Sequence, residues 1–392
     1  MVHDVAIIGG GLAGCAAAYY LACRGVSSIL LEAGELNSQA SGANAGSLHF
    51  QLEHRLIAHG DAAAEQFAAV IPLSKHAIAL WRGLEAELGL DLEVVMDGGL
   101  MLAETREELE LLERKSALES RWGLDTELLD AAQARDRVKG VSSHVRGAAF
   151  CADEGHANPR LVSLGYARRA IERGARVCTK ARVVGLQRRS GHWVVSLAGG
   201  ETIRASVVLN AAGAWAGEVG RLANVHIPIL PVGLQMNATE RCAPRLGVLI
   251  QHAGKPLSLK QLEAGNFLIG GGWPARLSAQ TGRISHADKP VALPERIAGN
   301  LALACRILPG LADLHLIRSW TGTVGVTTDQ LPILGRLDAL PEYYVVGGGS
   351  GFTLGPAFAS IVAEQIVKGK TDYPVDLYSP NRFAHLNMFM GL

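Results

Sequence analysis

The chain lacks a charge surplus of either sign. Its 392 residues carry 37 basic and 37 acidic side chains, and only 19% are charged. Binding a phosphate backbone needs a basic surplus, so nucleic acid is not an expected partner. Low charge combined with 48% apolar residues also excludes a disordered chain. Metal-ligand spacing is missing as well. The six cysteines (Cys15, Cys23, Cys151, Cys178, Cys242 and Cys305) are scattered, with no CxxC pair or Cys/His cluster. No zinc, cysteine-ligated iron–sulfur or other metal site is therefore expected, and the thiols read as reduced, in a cytoplasmic protein. No basic segment precedes the first apolar run. Two uncharged stretches long enough to span a bilayer, 5–23 and 343–363, are broken by glycine clusters. They read as strand–loop–helix units, so no transmembrane segment is expected. Internal repeats, low-complexity tracts and long linkers are absent from the sequence.

Glycine is what the chain has in excess: 46 residues, against about 27 in an average chain of this length, and without a G-X-Y period. Residues 4–8 read as a buried parallel strand, 9–14 as a tight turn, 12–24 as an Ala- and Leu-rich helix and 28–32 as a second strand, together a βαβ unit. Further helices are expected at 74–90, 105–122, 160–173, 294–308 and 355–369. The second of these, with Leu109, Leu111, Leu112 and Leu118 among many charges, reads as amphipathic with a solvated face. Strands are expected at 175–179, 182–188, 192–197, 203–210 and 343–346, and 226–273 reads as strand-like with turns at 253–255 and 264–266. Parallel-type strands at both ends and in the middle, with antiparallel-looking material between them, predict a mixed α/β (α+β) fold of two interleaved domains.

Gly9-Gly10-Gly11-Leu12-Ala13-Gly14 fits G-x-G-x-x-G, and the acidic Glu32 follows 18 positions after Gly14. Gly9 permits the turn, Gly11 lets backbone approach a pyrophosphate, and Gly14 lets helix and strand pack closely. The helix N-terminus presents N–H groups to phosphate, and Glu32 can accept both ribose hydroxyls. This frame predicts dinucleotide binding. A second glycine cluster, residues 347–356, again joins a strand to a helix. A nicotinamide enzyme has no evident need for it. A flavoenzyme does, because a helix N-terminus there stabilises the negative charge of the reduced flavin.

These motifs, with Ala40-Ser41-Gly42-Ala43-Asn44-Ala45-Gly46-Ser47, the runs at 153–159 and 210–215, Arg318-Ser319-Trp320-Thr321-Gly322 and the run at 328–335, resemble the FAD-dependent amino-acid oxidase group that includes D-amino acid oxidase, glycine oxidase and sarcosine oxidase. The resemblance covers almost the whole chain. It implies a Rossmann-like FAD-binding domain (1–80, 140–215 and 318–392) interleaved with an antiparallel-sheet substrate domain (81–139 and 216–317). It also implies roles for single residues. Gly9, Gly11, Leu12, Ala13 and Gly14 would hold the ADP phosphates, with Glu32 and Ala33 at the ribose. Ser41 and Gly42 would contact the pyrophosphate and ribityl chain. Asn44, Ala45, Gly46 and Ser47 would run along the flavin near N5. Val183 would hold the adenine, and Ala212, Gly213 and Trp215 would line the ADP part. Gly348, Gly349, Gly351, Phe352 and Thr353 would face the pyrimidine end, and Gly322 and Asp329 would complete the cofactor contacts.

The departures from that pattern carry information. Positions where some relatives attach FAD covalently are Gly322 and Ala43 here, which implies non-covalent FAD. The Arg that clamps a substrate carboxylate in glycine oxidase-like sequences is replaced by Val324. Arg276 and Arg318 are the alternatives, each equally readable as a structural ion-pair partner. His49 is a candidate active-site residue or a satisfied core histidine. Residues 44–49, 258–261 and 268–274 resemble most closely the small FAD-carrying subunits of two-component opine oxidases and D-hydroxyproline dehydrogenases. In that subgroup a larger subunit, carrying a further flavin and an iron–sulfur centre, receives electrons, and an FMN can sit at the interface. Lys260 would then be either an anion-facing interface residue or, the favoured reading, a solvated surface lysine. The implied reaction is oxidation of an amino-acid or opine C–N bond by hydride transfer to flavin N5. The alternatives are a self-sufficient oxidase of glycine or D-amino acids, one component of a cyanide-forming glycine dehydrogenase, and a non-catalytic flavin-binding subunit. A membrane-peripheral position through a partner also stays open.

Overall fold

The structure is a computed structural model that describes residues 2–280, 283–284 and 288–389. Residues 281–282 and 285–287 of the expected substrate segment, and 390–392 of the expected FAD segment, lie outside the described residues.

The βαβ unit folds as expected. Strand Val2–Ile8 passes through the glycine turn into helix Leu12–Ala22 and returns as strand Ser28–Leu31. These strands centre an eight-stranded sheet in the order Ile333–Arg336, Tyr343–Gly347, Thr202–Asn210, Val2–Ile8, Ser28–Leu31, Arg176–Cys178. The hairpin Val183–Arg189/His192–Leu197 joins it along Thr202–Asn210. The inner pairs are parallel, with Val5 opposite both Val207 and Ser28. Parallel strands buried on both faces explain the unbroken Val/Ile/Leu/Ala runs. Val5, Ile7, Leu30, Leu209 and Val346 face one core, with helices Leu12–Ala22, Pro159–Glu172 and Gly355–Lys368. Ala6, Ile8, Ile29, Leu31 and Val208 face the other.

A second eight-stranded sheet runs Leu316–Thr327, Ile229–Arg241, Asn266–Gly270, Ser258–Gln261, Leu249–His252, Gly99–Ala103, Gly147–Cys151, Glu127–Asp130. Every pair is antiparallel except Leu249–His252 with Gly99–Ala103. The pleat sorts its side chains. Leu100, Leu102, Phe150, Ile250, Leu259 and Ile269 pack with helix Pro294–Ile307 on one face, while Met101, Ala103, Ala149 and Cys151 turn toward the first core.

Several expectations shift. Gly147–Cys151 and all of Leu316–Thr327 belong to the second sheet, whereas 140–215 and 318–392 were expected with the first. Helix Ile71–Leu88 begins three residues before the expected 74, with a Pro in its first turn, where the missing N–H costs nothing. Helix Arg106–Arg121 has the expected solvated face, but its buried side is not wholly apolar. Lys115 and Glu119 form a fully buried ion pair on it. No helix among the described residues is long and apolar enough to cross a membrane.

Candidate functional site

At the carboxyl ends of the parallel strands the structure opens into a cleft of about 630 Å³, where ligands bind in doubly wound sheets. Its floor is the glycine turn. Gly9 has φ +115°, and a Cβ there would lie 2.5 Å from Ala211 O. A Cβ on Gly14 would overlap the carbonyl oxygen of Gly9, so helix Leu12–Ala22 can meet the turn this closely only without side chains. Cys15, just inside the helix, donates to Gly10 O; burial pushes its thiol up to about 12, which makes it inert.

Backbone groups around the cleft are fixed by polar side chains. Glu32, which lines the cleft, accepts from Gly10 N and Gly34 N, both at 2.7 Å. Ser41 Oγ accepts from Leu12 N at 2.9 Å, tying segment 40–44 to the helix N-terminus. At the far end Trp81 Nε1 donates to Thr353 O at 2.7 Å, and its ring lies 5.4 Å from that of Phe352. This fixes the entry to helix Gly355–Lys368.

Of the expected cofactor residues, Gly9, Gly11, Leu12, Ala13, Glu32 and Ala33 line the cleft, as do Ser41, Asn44 and Val183. Ala212, Gly213, Trp215, Gly348, Gly349, Gly351 and Phe352 line it too. Gly14, Gly42, Ala45, Gly46, Ser47, Gly322 and Thr353 are not part of this lining. Gly42 has no room for a Cβ against Asn37 O, and Gly322 has only 3.0 Å to the Cβ of Ala43. Asp329 is a correction. It forms a two-point ion pair with Arg382 (2.8 and 3.2 Å) and accepts from Leu331 N, so it braces the 327–332 turn and does not face the cleft.

The structure adds cleft residues that the motifs did not mark. Thr323 Oγ1 and Asn37 Oδ1 are buried and without a partner among the described residues; both residues border the cleft, but strand alternation turns the Thr323 side chain to the face opposite Val324. Buried polar atoms are normally paired, so the orphaned Asn37 Oδ1 marks a place for a polar ligand at the cleft. Thr323 could have been suspected, since it lies between Gly322 and Val324. Nothing in the sequence singled out Asn37.

The candidate catalytic residues divide. His49 is half-buried; its Nε2 lies 3.1 Å from Ser258 Oγ, and that hydroxyl is 3.3 Å from Ser47 Oγ. The other ring nitrogen, Nδ1, is buried without a partner among the described residues. Arg276 is exposed, paired with Val291 through the backbone and outside the cleft lining. Arg318 is exposed, with its guanidinium 5.7 Å from the Trp320 ring centroid and no carboxylate partner among the described residues. Strand register places Arg318, Trp320, Gly322 and Val324 on one face with Ala238, Met236, Leu234 and Val232 opposite them. Val324 lines the cleft, so this apolar face looks onto it and Arg318 marks its outer rim.

Lys260 is a second correction: it is 1% exposed, its Nζ has no partner among the described residues, and burial holds it well below the ordinary lysine range. Burial, with a contribution from Lys260, pushes His156 down to about 3. No group of three or more His, Cys, Asp or Glu suited to a metal ion occurs among the described residues.

Comparison with known proteins agrees with this geometry. The family model described as FAD dependent oxidoreductase (DAO) matches residues 4–365. One opine oxidase subunit, from Agrobacterium tumefaciens (strain Ach5), is 30% identical over 97% of both chains, and its counterpart from the opine oxidase of Rhizobium meliloti is 28% identical over 97% of both. The crystal structure of L-proline dehydrogenase from P. horikoshii superimposes with a TM-score of 0.85 at 26% identity, covering 98% of each chain. The glycine turn, Glu32 at the cleft wall, the second glycine-rich helix entry and the orphaned Asn37 Oδ1 all fit FAD. With the match across nearly its whole length, they establish that the chain belongs to the DAO family of FAD dependent oxidoreductases.

Proposed function

We propose that this chain is the FAD-carrying catalytic subunit of a heteromeric enzyme that oxidises the C–N bond of an opine, a secondary amine joining two amino-acid-like halves. The observation that carries the reading is the face above the cleft. Val324 stands where a small amino acid would need a clamping arginine, the neighbouring positions are Leu234, Met236, Trp320 and Gly322, and the cation on that face is Arg318 at the rim. Such a face suits a long substrate whose carboxylates are held apart. The similarity to the two opine oxidase subunits over 97% of both chains supports the same reading, and their designation as subunits implies a partner chain. The partner in this reading is larger, takes the electrons and carries a further flavin and an iron–sulfur centre, with FMN at the interface. Six free thiols fit a cytoplasmic location.

Bound FAD supplies a two-electron acceptor. The chain's own groups do the rest. The first sheet and its helices form the FAD-binding unit and the second sheet the substrate unit. Backbone N–H groups of the glycine turn would hold the phosphates. The entry at Gly348, Gly349, Gly351 and Phe352 would lie against the flavin. The apolar face excludes water and orients the substrate C–H. The amine binds neutral, as release of a hydride from its α-carbon requires. Hydride loss leaves an imine, which water splits into a 2-oxo acid and an amine. Anaerobic mixing of the FAD-loaded chain with a panel of N-carboxyalkyl amino acids, D-hydroxyproline, glycine and D-amino acids tests this. The opine-type secondary amines should bleach the flavin. Bleaching by glycine or D-amino acids alone would overturn the reading in favour of a self-sufficient oxidase.

A further inference from the structure

Backbone N–H groups 50, 51 and 52 all end on two buried carboxylates. Glu154 Oε1 accepts from Phe50 N at 2.8 Å and Gln51 N at 3.0 Å, and Glu119 Oε1 accepts from Leu52 N at 2.6 Å. Both glutamates are fully buried. Side chains close the array. Gln51 Nε2 and Gln251 Nε2 donate to Glu154, while Lys115 Nζ donates to Gln51 Oε1 and Glu119 Oε2, each at 2.8 Å. Burial pushes the Glu119 carboxyl up, against the pull of Lys115.

The same stretch that carries Glu154 also grips the other end of the segment. Ala157 N donates to Gly46 O at 2.9 Å, and a Cβ on Gly46 would overlap Ala157 O. Ser47 and Leu48 pair with His156 and Gly155. Asn44, which lines the cleft, accepts from Gly46 N at 2.6 Å. Residues 44–52 therefore run from the cleft wall into a buried charged clamp. Gly99 leaves the clamp no slack, because a Cβ there would overlap the Glu154 carboxylate.

Stability alone does not account for this array. Replacing buried ions by apolar groups of similar size is often neutral or stabilising, and here Lys115 pairs with Glu119 while Glu154 is held by backbone and amide donors. We propose that Glu154 and Glu119 are positioning residues that hold Asn44–His49 in register against bound FAD, with Glu154 the principal one. The proposal rests on FAD binding and not on the substrate reading, so the two can fail separately.

Glu154→Gln tests it without a substrate. The amide must turn its NH₂ toward either the backbone donors or the Gln51 side-chain amide, with Gln251 Nε2 near both oxygens, so one set of donors loses its acceptor. Three readouts are taken on FAD-loaded protein: hydrogen exchange of peptides covering 44–52, FAD affinity, and visible circular dichroism of the bound flavin. Faster exchange, affinity weakened about tenfold and an altered flavin dichroism are expected. Glu154→Gln with Gln251→Glu returns a carboxylate to the same pocket and should restore all three. If Glu154→Gln fails to fold, Gln251→Met, which removes donors only, should move the same readouts in the same direction by less. Unchanged flavin dichroism and affinity in the folded variants would overturn the proposal, as would a double variant no better than the single one.

Discussion

At Gly14 any side chain would overlap the carbonyl oxygen of Gly9, so Gly14→Val must push the helix N-terminus away from the turn proposed to hold the FAD phosphates. Overpacking costs about 1–3 kcal/mol, and the expected result is FAD binding weakened by about tenfold or more, read by flavin fluorescence on titrating apoprotein. Val324 gives the converse test. Val324→Arg puts a guanidinium on the face above the cleft, so a small amino acid should gain affinity relative to an opine, measured as a change in the ratio of kcat/KM values; an unchanged ratio would remove Val324 from the specificity argument. Single residues are legible in the sequence where local geometry dictates them. The glycine turn and Glu32 need nothing beyond their own βαβ unit. Asp329 and Lys260 escape such a reading because what decides each is distant in sequence: Arg382 for the first, and burial within the second sheet for the second.

Helix Arg106–Arg121 shows what an element's own sequence can reveal. Its start is legible: Thr105 and Glu108 form a reciprocal capping box. Its Lys115–Glu119 pair, four residues apart, reads locally as a solvated surface pair, yet both side chains are fully buried because Gln51 and Leu52, far upstream, supply their partners. Lys115→Met strands a buried carboxylate and should cost about 3–5 kcal/mol in urea unfolding, and Glu119→Leu added to it should recover part of that loss. Just before the helix, burial acts against ionisation of Glu104, but Lys255 and Arg306 prevail and hold it at about 2, below the ordinary 4.5. A depressed folded pKa stabilises the protein above about 4.5, and this contribution is lost as pH falls through about 2. Glu104→Gln should therefore lower the melting temperature at neutral pH and flatten its fall between those two values; an acid limb identical to wild type would contradict this.

For the whole molecule, the parallel sheet is legible from its apolar runs and glycine turns, since its central strands are buried on both faces. Membership of the second sheet is harder to read. Gly147–Cys151 is apolar throughout and fully buried, so it lacks the alternation that would mark an antiparallel strand, and only its partners Gly99–Ala103 and Glu127–Asp130 assign it. The two sheets enclose one FAD cleft under one apolar face, and the proposed chemistry takes place there. The most direct test is an anaerobic titration of FAD-loaded protein with an opine, counting 2-oxo acid released against flavin bleached. One 2-oxo acid and one amino acid should appear per flavin reduced. Full flavin reduction by dithionite, with none by any secondary amine and no 2-oxo acid formed, would contradict oxidation of an opine C–N bond by this chain.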